Sequence, residues 1–432
     1  MHKTSSEELF ARYRQHPYIS TDSRIAQPGS LFFALKGDNF DGNQYSRNAL
    51  ENGAAFAVID DPAFYIDART LLVDDVLGAL QQLASDFRST LRIPVIGITG
   101  TNGKTTTKEL MAAALSARFV THATTGNLNN HIGVPITLLT IKPDTEIAVI
   151  EMGANHIGEI EALCRIARPT HGLITNIGKA HLEGFGSAEG VVKAKSELYR
   201  HLRNFGGTVF VNADNALLMS LTQDMMRITY GSDKNAGFRG TVIPEGPLLE
   251  FTIHTPVEQN ISTKLAGSYN FENAMAALCI ARQFRVNLPE AVEAIENYEP
   301  RMNRSQVINT ERNTLIMDAY NANPSSMQAA IKNFSGMKAG YKILLLGDMF
   351  ELGTEAPAEH LNILETAISQ NFDAIITAGP CFAEAARGKS AVIAFLTVAE
   401  LKEHLYKHQI KDATILIKGS RGMKLESVTE NL

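Results

Sequence analysis

The stretch GITGTNGKTTTKEL, Gly97–Leu110, constrains the fold more than any other part of the chain. It closes the apolar run RIPVI, places glycines at 97, 100 and 103, and then presents Lys104 and three threonines at the start of a helical pattern. A strand that ends in glycines and turns at once into a helix is a phosphate site in outline. Free N–H groups at the helix start and the helix dipole favour an anion there, and glycines let the backbone approach closely. In that geometry Lys104 contacts the β/γ phosphates and the Thr105 hydroxyl binds Mg²⁺. The common spacing G-x-x-x-x-G-K-[ST] requires Gly at 98, where this chain has Ile98. A glycine turn with a surface lysine is the competing reading, and the strand and helix on either side disfavour it. The loop by itself does not separate a kinase from a GTPase, a ligase or a motor.

The apolar runs around the loop set the fold class. IPVIGITG, EIAVIEMGA, HGLITNIG and GTVFVNAD read as buried strands, with TTTKELMAAALSARF, GEIEALCRIARP and SAEGVVKAKSELYRHL as helices between them. Strands alternating with helices imply a mostly parallel sheet covered on both faces. The segment 226–265 is shorter-stranded and turn-rich and reads as an antiparallel appendage, followed by the helix SYNFENAMAALCIARQF. After NYEPRMNRSQV the rhythm restarts, with strands TLIMDAYNANP, YKILLLGDM, FDAIITAG and ATILIKGS. At roughly 150 residues per domain, 432 residues leave room for about three domains. The expected class is α/β in three domains: a small N-terminal α/β domain (1–90), a central P-loop-type parallel sheet (91–300) and a C-terminal Rossmann-like α/β domain (301–432).

Composition excludes more than it proposes. A net charge of -6 without long like-charge runs argues against nucleic acid as a partner. No segment reaches the ~20 apolar residues of a membrane span, and MHKTSSEELFARYRQHP has no apolar core of the kind a secretory signal needs. Cys164, Cys279 and Cys381 are far apart and in apolar, helix-like surroundings, so they read as buried thiols of a reducing compartment. A cytoplasmic protein is expected.

Two strand ends carry further chemistry. Glu151 ends IAVIE, where a carboxylate beside a phosphate loop serves as a Mg²⁺ ligand; a solvent-facing glutamate is the alternative. His156 lies in the loop beyond it. His181 follows ITNIG at another strand end, although a lone histidine is more often structural. By spacing alone Lys193 and Lys195 are surface lysines.

Taken together, GITGTNGKTTTKE, GNLNNHIGVPITLL, IEMGANHIGEI, AHLEGFGSAEGVVKAKSEL, GSYNFENAMAA, DAYNANPSSM, LLLGDMFELG and KGSRGMKLE resemble the Mur ligase family over nearly the whole chain. Its loop spacing, G-x-x-G-x-x-G-K-T, is met by Gly97, Gly100, Gly103, Lys104 and Thr105. IEMGANH and HLEGFGS resemble the branch that joins D-alanyl-D-alanine to UDP-N-acetylmuramoyl-tripeptide.

The resemblance implies an ATP-dependent amide ligase that passes through an acyl phosphate. It implies ATP contacts from Gly100, Thr101, Asn102, Gly103, Lys104, Thr105, Thr106, Asn273, Arg304 and Asp318. Mg²⁺ would be held by Thr105, Glu151, His181 and a carbamylated Lys195, and Lys104, His181 and Lys195 would be catalytic. Ser23, Arg24 and Lys36 would meet the uridine-diphosphate end of the acceptor. Asn127, Asn129 and Asn130, with Tyr320, Asn321 and Asn323, would meet the peptide substrates.

The chain departs from the family pattern at Tyr269, where His is usual, and at Asn303, where Gly is commoner. A sister ligase adding lysine or diaminopimelate usually carries D-N-P-R in its third domain, which is missing here. Folylpolyglutamate synthetase shares the loop and lacks the first domain. A non-enzymatic nucleotide-binding protein would not need Glu151, His181 and Lys195 together. A monomer whose third domain closes over ATP is the expected arrangement.

Overall fold

The structure, a computed structural model, describes residues 2–179, 182–243, 246–254 and 257–432. Among these residues three main sheets stand in chain order, each with helices against it. The first is parallel, in the order Ile19–Ser20, Leu31–Phe33, Phe56–Ile59, Thr70–Leu72.

The central sheet has nine strands. Val95–Thr99 lies between His171–Ile174 and Ile147–Glu151, parallel to both, and Thr121–Ala123 is the edge beyond Ile147–Glu151. Val95–Thr99 and Ile147–Glu151 are buried along their whole length, as a strand covered by helices on both faces must be. Their carboxyl ends converge on one edge, where the phosphate loop begins.

The expected antiparallel appendage is only partly antiparallel. Arg227–Gly231 pairs parallel with Thr208–Asn212 and extends the main sheet, and Phe238–Ile243 continues it in parallel. Leu248–Ile253 runs antiparallel to both its neighbours, Phe238–Ile243 and Gln259–Ala266. RITYG is exposed at Arg227 and half-buried at Ile228 and Thr229, and such a short strand shows no direction in its pattern. The single helix expected over SAEGVVKAKSELYRHL is two, Ala188–Lys195 and Glu197–Phe205, meeting at Ser196.

The third sheet runs Gln306–Asn309, Thr314–Asp318, Thr414–Lys418, Lys342–Gly347, Ala374–Ala378, Val392–Phe395. All its pairings are parallel except the first. Asn323 caps the helix Pro324–Gly336 reciprocally with Ser326, and Pro324 occupies its first turn, where the missing N–H costs nothing.

The first and central regions share one hydrophobic core. It runs from Leu9 and Leu31 through Leu80, Leu83 and Ala84 of the helix Val76–Thr90 to Leu163 and Leu198. Arg88 on that helix is buried and donates to the carbonyls of Leu91, Ala167 and Arg168. Cys164 and Cys279 are buried as expected, whereas Cys381 is only half-buried.

Candidate active site

The phosphate loop is built from both ends. Gly100 has φ +146 and Gly103 φ +77, conformations that L side chains rarely adopt. A Cβ at Gly100 would stand 2.0 Å from Thr175 Oγ1, and one at Gly103 would stand 2.5 Å from Asn273 Oδ1. The end of the neighbouring strand holds the loop. Asn102 N donates to Asn176 Oδ1 (2.9 Å), and its carbonyl accepts from Thr175 Oγ1 (2.6 Å) and Asn176 Nδ2 (3.1 Å).

The helix Lys104–Ser116 starts directly at the last glycine. Lys104 Nζ donates to the carbonyls of Gly100 (2.7 Å) and Thr101 (3.0 Å), so the ammonium is folded onto its own loop. Burial lowers its pKa and Arg304 lowers it further, while Glu151 opposes both.

Beneath the loop Thr105 Oγ1 donates to Glu151 Oε1 (3.2 Å), and Asn129 Nδ2 donates to the same oxygen (2.8 Å). Glu151 is 1% exposed, and its Oε2 has no hydrogen-bond partner. The nearest cation, Lys108 Nζ, is 3.9 Å away, beyond hydrogen-bond reach. A buried, orphaned carboxylate oxygen beside a hydroxyl fits a hard divalent cation, which prefers oxygen ligands.

A cavity of about 930 Å³ joins these groups to the third region. Its wall includes the loop from Thr101 to Thr106, Asn127, Asn129, Asn130 and Glu151 from the central region. Arg304, Asp318, Tyr320, Asn321 and Asn323 face them from the other side.

Family models match this architecture in three pieces: the Mur ligase family catalytic domain at 17–88, the Mur ligase middle domain at 98–281, and the Mur ligase glutamate ligase domain at 303–421. The UDP-N-acetylmuramoyl-tripeptide--D-alanyl-D-alanine ligase of Bacillus subtilis is 36% identical over 425 residues, covering 96% of this chain and 92% of its own. The Escherichia coli protein of that name is 36% identical over 432 residues, covering 96% and 93%. The chain belongs to the Mur ligase family. Among solved structures, MurF from Acinetobacter baumannii superposes with a TM-score of 0.87 at 34% identity, over 96% of this chain and 93% of that one. MurF from Thermotoga maritima in complex with ADP shares the fold, with a TM-score of 0.85 at 24% identity over 96% of each chain.

In this Mur ligase several expected site residues have occupations that spacing did not show. Asn273 Oδ1 accepts from Thr107 Oγ1 (2.9 Å), and Asn273 Nδ2 donates to Asn270 (2.8 Å), so Asn273 braces the phosphate loop. Asn130 Oδ1 accepts from the N–H groups of Ile132 and Gly133 and starts the helix Gly133–Leu139. The Arg304 guanidinium lies 3.5 Å from the Tyr320 ring centroid, a stacked cation held against the cavity. Asp318 Oδ2 is paired with Lys418 Nζ at 2.6 Å. Lys418, in the stretch KGSRGMKLE, is buried and lines the cavity, a role its sequence position does not reveal.

Lys195 is not a surface lysine. It is 2% exposed, donates to Ala154 O (3.3 Å) and stands 5.3 Å from the Phe185 ring centroid. Burial first, then the charge of Lys104, bring its pKa down to about 7. His156 is exposed beside Glu159, at 3.3 Å. His181 lies outside the described residues.

Ser23, Arg24 and Lys36 do not line the cavity; Arg24 pairs with Asp22 (2.6 Å) and Lys36 with Asp60 (2.8 Å). The described residues include one group with three metal-type ligands, Asp348, His360 and Cys381. The Asp348 and His360 side chains are already engaged. Asp348 accepts the N–H groups of Cys381 and Phe382, and His360 Nε2 accepts that of Met349 while Nδ1 donates to Ala356 O. That cluster ties a helix start to a strand end.

Proposed function

We propose that this Mur ligase adds D-alanyl-D-alanine to UDP-N-acetylmuramoyl-tripeptide at the expense of ATP, through an acyl phosphate. One observation carries the reading: a phosphate loop, a buried carboxylate and the wall of the third region meet around one cavity. Full-length relatives bearing that activity in their names support the choice of substrates. In this reading 1–90 binds the acceptor's uridine-diphosphate end, 91–300 binds ATP and 301–432 binds the dipeptide.

The phosphates of ATP rest on the loop from Gly100 to Thr106. Lys104 leaves the carbonyls of Gly100 and Thr101 and neutralises the β/γ phosphates, and Arg304 and Asp318 face the nucleotide from the third region. Asn273 holds the loop and offers its remaining amide capacity to the base. The acceptor's carboxylate attacks the γ-phosphorus, and ADP departs. The dipeptide amine then attacks the acyl carbon, the tetrahedral intermediate expels phosphate, and the amine's proton is lost. Such steps depend on charge neutralisation and in-line positioning more than on covalent help from the protein.

Thr105 and Glu151 are the residues to hold Mg²⁺, with His181 and a carbamylated Lys195 toward a second ion. Bound Mg²⁺ supplies charge neutralisation at the transferring phosphoryl group. A buried amine with a pKa lowered to about 7 supports carbamylation: its neutral form attacks CO₂, makes the carbamate and releases a proton.

Asn127, Asn129 and Asn130 take the acceptor's peptide, and Tyr320, Asn321 and Asn323 the incoming dipeptide. Ser23, Arg24 and Lys36 take the uridine diphosphate. No helix among the described residues is long and apolar enough to cross a membrane. In this reading the enzyme is a cytoplasmic monomer working on nucleotide-linked precursors.

The test is phosphate release with ATP and UDP-N-acetylmuramoyl-tripeptide, comparing D-alanyl-D-alanine with single amino acids. Release only with lysine or diaminopimelate on a shorter precursor overturns the assignment. Lys104→Ala should lower release on the order of 10²–10³-fold or more; unchanged turnover sinks the loop's role.

A further inference from the structure

We infer that Asn102, Asn323 and Ser325 form a hydrogen-bonded latch that couples the phosphate loop to the third region and thereby positions the incoming dipeptide. The latch rests on the function proposed above. Its geometry stands apart from it.

The backbone of Asn102 is fixed on both sides by Thr175 and Asn176, so its side chain projects in a set direction. That side chain crosses to the third region. Asn102 Nδ2 donates to Ser325 Oγ (2.9 Å), Ser325 Oγ donates to Asn323 Oδ1 (2.9 Å), and Asn323 Nδ2 donates to Asn102 Oδ1 (2.8 Å). The three bonds close a ring in which every group gives one hydrogen and takes one. Asn323 is itself held by its reciprocal cap with Ser326, so the ring joins two pre-set backbones. Little side-chain entropy remains to be lost on closing it.

A second contact depends on the same approach. A Cβ at Gly178 would stand 2.9 Å from Ser325 Oγ and 3.2 Å from Ser325 Cβ. Gly178 N and O are both bonded to Thr101 Oγ1. The loop, the strand end behind it and the helix start in front of it therefore fit as one unit. Any change in loop shape when phosphates bind is carried to Asn323 and from there to Tyr320 and Asn321 on the same segment. Ser325 is a positioning residue in this scheme, acting through the side chains of Asn102 and Asn323, while the backbone of Asn102 stays part of the phosphate loop.

Ser325→Ala tests this in the full-length protein. The KM for D-alanyl-D-alanine should rise about tenfold, as expected when a net favourable hydrogen-bond unit is lost. Affinity for a non-hydrolysable ATP analogue, measured by calorimetry, should stay within about twofold. Asn102→Ala combined with Ser325→Ala should cost no more in dipeptide KM than the worse single variant, since one break opens the ring. Gly178→Ala keeps every hydrogen-bonding group and should raise the same KM by displacing Ser325. Small-angle scattering with the ATP analogue should show the variants less compact than wild type.

Additive losses in the double variant, or wild-type KM and compaction in Ser325→Ala, overturn the latch. Failure of the wild type to use the dipeptide overturns the functional reading instead. In that case scattering alone still decides the latch, because closure is read without turnover.

Discussion

The two junctions of this chain are built differently. Between the first and central regions a single hydrophobic core passes through the helix Val76–Thr90, and buried Arg88 satisfies three carbonyls at the seam. Between the central and third regions the described core contact is small, with Ala266 and part of Tyr269 against the third-region core. The rest is polar: the Asn102 ring, Ser268 on Asn333, and Lys179 paired with Glu359. Apolar burial is lost in full when a shared core separates, whereas polar partners regain water. By that argument the first junction resists separation more than the second does. On the proposed reading, that difference suits an enzyme that keeps the acceptor's site in register with the phosphate loop while the dipeptide arrives from the third region.

The largest effect should come from the fused junction. Leu80 is fully buried in the shared core, so Leu80→Ala should cost about 2–5 kcal/mol through lost transfer and the cavity left behind. Arg88→Met, which strands the carbonyls of Leu91, Ala167 and Arg168, should cost about 1–3 kcal/mol. Denaturant unfolding followed in both regions should shift as one transition in either variant. If the first region melts early while the central region keeps its midpoint, the two junctions are not different in kind.

The parts legible in the sequence follow the same division. Long buried strands such as Val95–Thr99 and Lys342–Gly347 announce themselves because a parallel strand covered on both faces is apolar throughout. The loop was equally plain, since glycines at 100 and 103 meet a backbone need that no other residue meets as cheaply. Strand direction at Arg227–Gly231 was not legible, nor was the break at Ser196, because neither changes composition. Thr107, Lys418 and Ser325 were missed for a different reason. Each acts through a polar contact between segments far apart in the chain, and such contacts leave no periodicity. Lys195 read as exposed by spacing and is buried; only the family resemblance pointed to it.

A smaller effect should appear on the rigid face of the cleft. With the Lys195 pKa lowered to about 7, the amine is neutral above that pH and protonated below it. Only the neutral form takes up CO₂, so turnover in CO₂-depleted buffer should fall as pH drops through about 7 and recover with bicarbonate. The expected loss is about tenfold or more, in the range for a perturbed metal ligand set. Intact-mass measurement should show the carbamate on wild type and not on Lys195→Ala. Turnover indifferent to bicarbonate across this window, with no mass gain, rules the modification out.

The smallest change in stability should come from the hinged side. Lys179 is 58% exposed at its side chain, while its partner Glu359 is only 7% exposed. An ion pair with one solvated partner is worth about 0–1 kcal/mol. Removing Lys179 would leave Glu359 buried and unpaired, a state that normally costs more. If the third region swings away and Glu359 returns to water, that cost is escaped without unfolding anything. Lys179→Ala should therefore move the unfolding midpoint by less than about 1 kcal/mol while shifting scattering toward the extended form. A loss of several kcal/mol with unchanged compactness would mean that Glu359 cannot reach water by opening. The second junction would then resist separation as the first does.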